Sequence, residues 1–332
     1  MTLDEALAHR PSDRQEMRST LAALHELLPV RGDPETSDEL LALLRMLYRV
    51  ARRDLPLARL FEGHIDARQI VARYASSKIA REVEASGGVF GVWNAALPGE
   101  PLRIDKERLS GGKSFASGAG VLNFALAGAD MAEGNRLVLI DLDTSAPAID
   151  RDWWKVVGMQ RSETHVVRWN DAPVTSFHLI GEPGDYAREP FFSGGALRFV
   201  ACHAGGVAAL FDHVRDHLVT MDRAGDPHQA GRLAELYVAT ASATETVRTA
   251  AEQWTTPAFV EYVAAARITV GACAERALMV AQAAIGVPGL FVDHPLSAAL
   301  TDLMVYLRQP MPDAQRMRVG KAAADGILVP GL

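Results

Sequence analysis

Residues 109–130 read LSGGKSFASGAGVLNFALAGAD, and this stretch decides the fold. Gly111 and Gly112 lead into Lys113, Phe115 and Ser117 alternate along a strand, and Gly118 and Gly120 open a second tight connection before the apolar run Val121–Ala129. Glycine-punctuated alternation predicts adjacent β segments that approach something closely, because a residue without Cβ lets backbone and ligand meet. A strand that aims a ring and, two residues on, a hydroxyl to one side can pack an aromatic plane and hydrogen-bond its edge.

On either side of this stretch the texture is helical. Residues 1–86 read as an N-terminal helical domain. Ser12–Leu28 carries apolar Met17, Leu21, Leu24 and Leu28 and stops at Pro29, and Ser37 is placed as the N-cap of the next helix. His64 falls between helical segments, where a histidine packs or caps. Residues 87–186 are short, β-branched and alternating, with strands expected at Val89–Trp93, Leu137–Leu142 and Thr164–Trp169 and a turn at Asn170–Asp171. They predict a β-barrel or sandwich. Residues 187–332 predict a C-terminal bundle, with helices over Pro190–Met221, from Asp226–Pro227, from Thr256–Pro257, and over Leu296–Leu307 and Asp313–Asp325. The expected class is α+β multi-domain, helices then sheet then helices.

Composition bounds the partners. The 332 residues are 48% hydrophobic and 23% charged, with net charge −7. That balance argues against nucleic acid or an anionic membrane surface as partner. Cys202 and Cys273 are too few for a disulfide framework and lack metal-ligand spacing, so no metal and a reducing, cytoplasmic setting are expected. The polar N-terminus is unlike a signal peptide, and no membrane span is expected.

The central motif, G-G-K-S-F-A-S, resembles the G-x-K-x-[WF]-x-[TS] strand of the acyl-CoA dehydrogenases, and the chain is identified as a divergent, short member of that flavoprotein family. The resemblance implies FAD between the β domain and the last bundle, with Phe115 against the isoalloxazine and Ser117 near its N5. Phe90–Glu100, FGVWNAALPGE, is similar to the family's aromatic–T-E-P segment, with Trp93 and Asn94 in place of Thr and Glu, which adds Phe90, Trp93 and Asn94 to the expected flavin contacts. Gly158–Trp169 resembles the family's G-x-R-x-[ST]-x-[ST] segment, with Arg161 as the charge to meet a phosphate. Arg198 stands where the family has an arginine near the active centre, and Arg223 resembles the arginine that reaches the FAD pyrophosphate of an adjoining subunit. Gly286–Leu303 is similar to the family's G-G-x-G loop and R-D segment, ending on Asp302.

The family's glutamate base is missing. The segment after Asp302 reads Arg308–Asp313 without a glutamate, and the alternative position holds Leu197. Asp313, more in the manner of a helix cap, His203 and Glu100 are the remaining titratable candidates. The resemblance implies oxidoreduction of acyl-CoA or a carrier-bound acyl group by α-proton abstraction and hydride transfer to flavin N5, in a homodimer or homotetramer, with electron-transfer flavoprotein as possible acceptor. Two alternatives stay open: a flavin-dependent monooxygenase of the same superfamily, suggested by His294–Pro295–Leu296, and a degenerate binding or assembly subunit.

Overall fold

The computed structural model describes residues 1–173 and 177–331, and of Phe177 only the backbone. Five helices come first: α1 (Leu3–Ala6), α2 (Arg14–Glu26), α3 (Ser37–Arg53), α4 (Leu55–Tyr74) and α5 (Ser77–Ser86). The strands follow as β1 (Phe90–Trp93), β2 (Arg103–Asp105), β3 (Arg108–Ala116), β4 (Phe124–Met131), β5 (Gly134–Asp141), β6 (Ala148–Asp150), β7 (His165–Pro173) and β8 (Phe177–Ile180). Helices α6 (Phe191–Thr220), α7 (Pro227–Glu252), α8 (Phe259–Ile285), α9 (Pro295–Tyr306) and α10 (Pro312–Ala324) close the chain. The helix–sheet–helix class is the one expected. Contacts group the chain into two compact units, one of Met1–Asp33, Arg59–Lys155 and Gln160–Arg188, the other of Pro34–Ala58, Val156–Met159 and Glu189–Leu332.

The first unit holds one mixed sheet in the order β6-β7-β3-β2-β4-β5-β8, with β1 also on β4. The deciding stretch supplies β3 and β4, yet these are not neighbours, because β2 lies between them. A two-residue turn at Lys106 and Glu107, both with positive φ, folds β2 antiparallel onto β3, as a type I′ hairpin requires. β2 then meets β4 in parallel at Arg103 and Asp130, and β1 runs parallel to β4 from Phe90–Phe124 to Trp93–Ala127. The expected turn at Asn170–Asp171 is inside β7; Asp171 takes a φ of 51° opposite a register shift in β3, and Arg108 pairs with its carboxylate at 2.7 Å. One sheet face buries Phe90, Leu126, Leu137 and Leu139 against Ile70 and Val71 of α4 and Val83 of α5.

Two buried histidines tie α2 and α4 to β1. The Phe90 N–H donates to His64 Nδ1 at 3.0 Å, so His64 carries its proton on Nε2, which faces His25 Nδ1 at 3.1 Å. His64 is therefore a buried structural residue within α4. Burial holds both rings neutral, with buried Arg68 adding to the effect: His25 is pushed down to about 4 and His64 well below its ordinary value.

In the second unit α6 packs on α3, α7 and α8 around Leu40, Leu44, Leu197, Val200, Ala204, Val247, Trp254 and Phe259. Trp254 donates its indole N–H to the Pro34 carbonyl at 3.0 Å. Caps explain most helix starts and correct three expectations. Thr36, not Ser37, caps α3 in a reciprocal box with Glu39. Asp226 caps α7 as expected, whereas α8 begins at Phe259, and the Thr256 hydroxyl turns back to the Gln253 carbonyl. At α10 the cap position is Met311, in the left-handed conformation, and Asp313 sits within the first turn, paired with Arg316 at 3.0 Å. Helices α6 and α8 are long and apolar enough to cross a membrane by length and composition, which the sequence reading did not anticipate; the apolar window of α6 is largely buried, as in a core helix.

Gly205 is where α6 touches α3. A Cβ there would stand 2.4 Å from the Tyr48 carbonyl oxygen and 3.0 Å from the Arg52 nitrogen, both backbone atoms that cannot rotate away. Gly205→Ala is expected to cost about 1–3 kcal/mol by forcing the helices apart, read as a lowered urea-unfolding midpoint; an unchanged midpoint contradicts this packing. The histidine pair sets a pH dependence. Each ring has a depressed folded pKa, so unfolding takes up protons below the unfolded value of about 6.5. Stability is expected to be full above that pH and to fall toward pH 4, by up to about 1.4 kcal/mol per pH unit for each ring. Equal unfolding midpoints at pH 7.5 and 5 would show that the pair is not held neutral.

Candidate functional site

After its first register shift at Leu109–Gly111, the β3–β7 ladder is regular from Gly111–Trp169 to Lys113–Val167 and resumes at Ala116–His165, with a second register shift between. Inside the shift Phe115 takes a φ of 51°, in the left-handed region where non-glycine residues are strained. The strand's expected alternation is thus broken. Lys113, Ser114 and Ala116 are buried, and Phe115 is turned outward with 55% of its surface exposed. Its ring meets Trp153 edge-on at 4.8 Å and Trp154 at 6.3 Å, and the two indoles stack on each other at 5.9 Å.

Ser117 follows at the head of a hydroxyl chain. The Thr164 hydroxyl donates to Ser117 Oγ at 3.0 Å, and Ser162 Oγ lies 2.7 Å from Thr164 Oγ1. With the Thr164 proton committed to Ser117, Ser162 donates to Thr164, and the Ser117 proton is left to point elsewhere. The Ser117 carbonyl accepts the Trp93 indole N–H at 2.8 Å. The next residues are pinned too: Gly118 N–H donates to the Ser162 carbonyl and Ala119 N–H to that of Glu163. At Gly118, φ is 77° and a Cβ would collide with Leu122, so the turn after the ribbon requires glycine.

Beside this turn lies a cleft of about 340 Å³ lined by Pro11–Gln15, Met17, Val121, Arg161 and Glu163. Glu163, with a φ of 45°, gathers Arg14 at 2.8 Å, Arg151 at 2.9 Å and His165 Nε2 at 3.3 Å. Burial works against its charge, but Arg14 and then His165 outweigh that and hold its carboxyl below the ordinary value. The sequence reading missed this group and the paired indoles. Their signals were present in R-S-E-T-H and in the Trp153–Trp154 doublet, but nothing in the spacing ties them to Phe115.

The other expected site residues scatter. Phe90 is fully buried, stacked on Phe124 at 4.7 Å and beneath the Arg68 guanidinium, and has no surface to offer a ring system. Trp93 is equally buried and acts on the site only through its bond to Ser117. Asn94 is exposed and lies against Gly128. Arg161 donates to the Pro11 carbonyl at 3.2 Å. Arg198 is buried within α6, and Arg223 is exposed in the turn between α6 and α7. Lys113 is buried in the sheet, and burial lowers its pKa against the pull of Asp130. Asp302 accepts the Met159 N–H, which fixes the backbone at Gly158.

None of the three candidate bases stands as a free carboxylate or imidazole. Glu100 pairs with Arg168 at 3.0 Å, and Asp313 with Arg316. His203 is buried in α6 with Nε2 on the Tyr306 carbonyl at 3.1 Å; burial first, then Arg267, bring its pKa down to about 4. Among the described residues no group of His, Cys, Asp and Glu could hold a metal ion.

No family model matches the chain, and no curated protein matches it by sequence. Solved structures do match. Glutaryl-CoA dehydrogenase from Mycobacterium smegmatis is similar at TM-score 0.79 and 14% identity, over 97% of this chain and 92% of that one. Dibenzothiophene monooxygenase from Paenibacillus sp. A11-2 matches at TM-score 0.76 and 17% identity, over 99% and 98%. KijD3, solved with FMN and a dTDP-linked amino-keto sugar, matches at TM-score 0.75 and 18% identity, over 99% and 92%. The chain has the fold of the acyl-CoA dehydrogenases and of these related enzymes.

Proposed function

We propose that this chain is a flavin-dependent oxidoreductase whose isoalloxazine rests against Phe115 and Ser117. The observation that carries the reading is the break in β3, which turns an aromatic ring out of the sheet and is followed two residues on by a hydroxyl that accepts from Thr164, so that among the described residues its own proton is not taken up by the hydroxyl chain. The residues present fit the group: the ring offers an apolar face, and Ser117 offers a donor held by Thr164 and Trp93. Bound there, a flavin supplies two-electron redox chemistry. The protein's own part is to orient the ring system, to hold one donor at its edge, and to keep that donor's backbone fixed. FAD is the cofactor that the sequence resemblance favours. FMN is the alternative, since KijD3 was solved with it.

Dehydrogenation of acyl-CoA or a carrier-bound acyl group, the first expectation, needs a carboxylate to take the α-proton. The positions at which the resemblance implies it, and the nearest carboxylates, are a buried Leu197 and the ion-paired Asp313 and Glu100. That favours, as a second reading, an oxygen-using reaction on reduced flavin, in which no such base is required at those positions. The run of exposed Leu290, Phe291 and Val292 in the second unit fits the proposed homodimer or homotetramer, because consecutive exposed apolar side chains of this kind seek a partner. We keep the cytoplasm as its setting and electron-transfer flavoprotein as the acceptor if the reaction is a dehydrogenation.

Purified protein is expected to be yellow or to turn yellow with added FAD or FMN, and Ser117→Ala is expected to shift the bound-flavin absorbance and weaken binding about fivefold or more, as loss of roughly 1 kcal/mol implies. A colourless protein that takes up neither flavin supports the degenerate binding subunit instead. Anaerobic bleaching by an acyl-CoA identifies the dehydrogenase, whereas turnover only with oxygen and a flavin reductase identifies the monooxygenase. Light scattering after size exclusion is expected to give at least twice the 35.8 kDa chain mass; a monomer at micromolar concentration rejects the oligomer.

A further inference from the structure

A second cleft, about 300 Å³, lies wholly within the helical unit among α6, α8, the segment after α9 and the first turns of α10. Its floor is Phe199 and the buried His203 of α6, its walls are Arg267, Gly271 and Glu275 of α8, and Gln309 and Gln315 close it. Three arginines face it, and two are already matched: Arg308 by Glu275 at 3.5 Å and Arg316 by Asp313 at 3.0 Å.

Arg267 is different. Its guanidinium is half-buried, lies 5.2 Å from the centre of the Phe199 ring, and donates one hydrogen bond, to the Pro310 carbonyl at 2.8 Å. Among the described residues it has no carboxylate partner, and burial lowers its pKa with no opposing anion. A half-buried cation with donors to spare is better stabilised when an anion joins it.

Gly271 gives an independent sign. It lies one helical turn beyond Arg267, in the middle of α8, where glycine weakens a helix relative to alanine. Packing does not explain it, because an added Cβ would meet nothing within 4 Å. What the missing side chain does is keep the cleft open beside the guanidinium.

We propose that this cleft binds a small organic oxyanion, the carboxylate or phosphate end of a metabolite-sized molecule, seated on Arg267 with its body over the Phe199–His203 floor. A guanidinium fork matches either oxyanion, and the volume suits a ligand of modest size. The site holds whether or not the chain binds a flavin, because no β3 residue takes part.

Calorimetric titration of the full chain at constant ionic strength, once with inorganic phosphate and once with benzoate, tests it. Saturable one-to-one binding of at least one anion is expected. Phosphate alone would identify a phosphate ester as the ligand, and benzoate alone a carboxylate. Arg267→Met and Gly271→Leu should each weaken binding at least tenfold, while Arg248→Met, at an exposed arginine of α7, should leave it unchanged. No saturable binding of either anion, or binding that survives both cleft substitutions, overturns the proposal. Gly271→Ala guards against a folding artefact: it should raise the thermal midpoint, and a lowered midpoint would show that the glycine serves packing and would overturn the role given to it.

Discussion

The candidate site depends on one break in one ladder. Between Lys113 and Ala116 the β3–β7 pairing loses register, and Phe115 crosses to positive φ. A regular strand would have turned its residues in and out by strict alternation. Alternation would have kept Phe115 on the same face as buried Lys113; the break instead turns the ring out of the sheet while Lys113, Ser114 and Ala116 stay buried. Strain of this kind persists only where surroundings over-determine it. Here they do: Trp93 holds the Ser117 carbonyl, Thr164 its hydroxyl, and the Ser162 and Glu163 carbonyls the two N–H groups that follow.

The rest of the first unit keeps that break in place. β4 is paired on both sides and carries β1 and β2 in parallel, so the sheet cannot slip without moving its helix-covered face. The His64–His25 pair fastens β1 to two helices with neutral rings. Buried Phe90 and Trp93 belong to this scaffold; they are aromatic because the core is, and their effect on the site passes through Ser117.

The helical unit is built on different terms. Its helices approach through small residues, with Gly205 of α6 against the backbone of α3, and its long apolar helices make a core of alanine, valine and leucine. The segment in which the resemblance implies a base is occupied by Arg308–Asp313, tied down by Arg267 at Pro310 and by Gln309 at Tyr306. Glycine thus has opposite roles at two places in this unit: at Gly205 it permits contact, and at Gly271 it prevents filling.

Helix–sheet–helix order was determined by the sequence alone, because hydrophobic period and turn residues are local properties. The same holds for the start of α7, where the Asp226 cap acts over three residues. Tertiary structure decided that β2 separates β3 from β4, that Phe115 faces out while Phe90 is sealed in, and that Glu163 collects Arg14, Arg151 and His165. It also decided that Asp313 and Glu100 are spent on arginines. Each of these turns on partners distant in the chain, and a side chain's exposure or charge state is set by what folds against it, which spacing along the sequence does not encode.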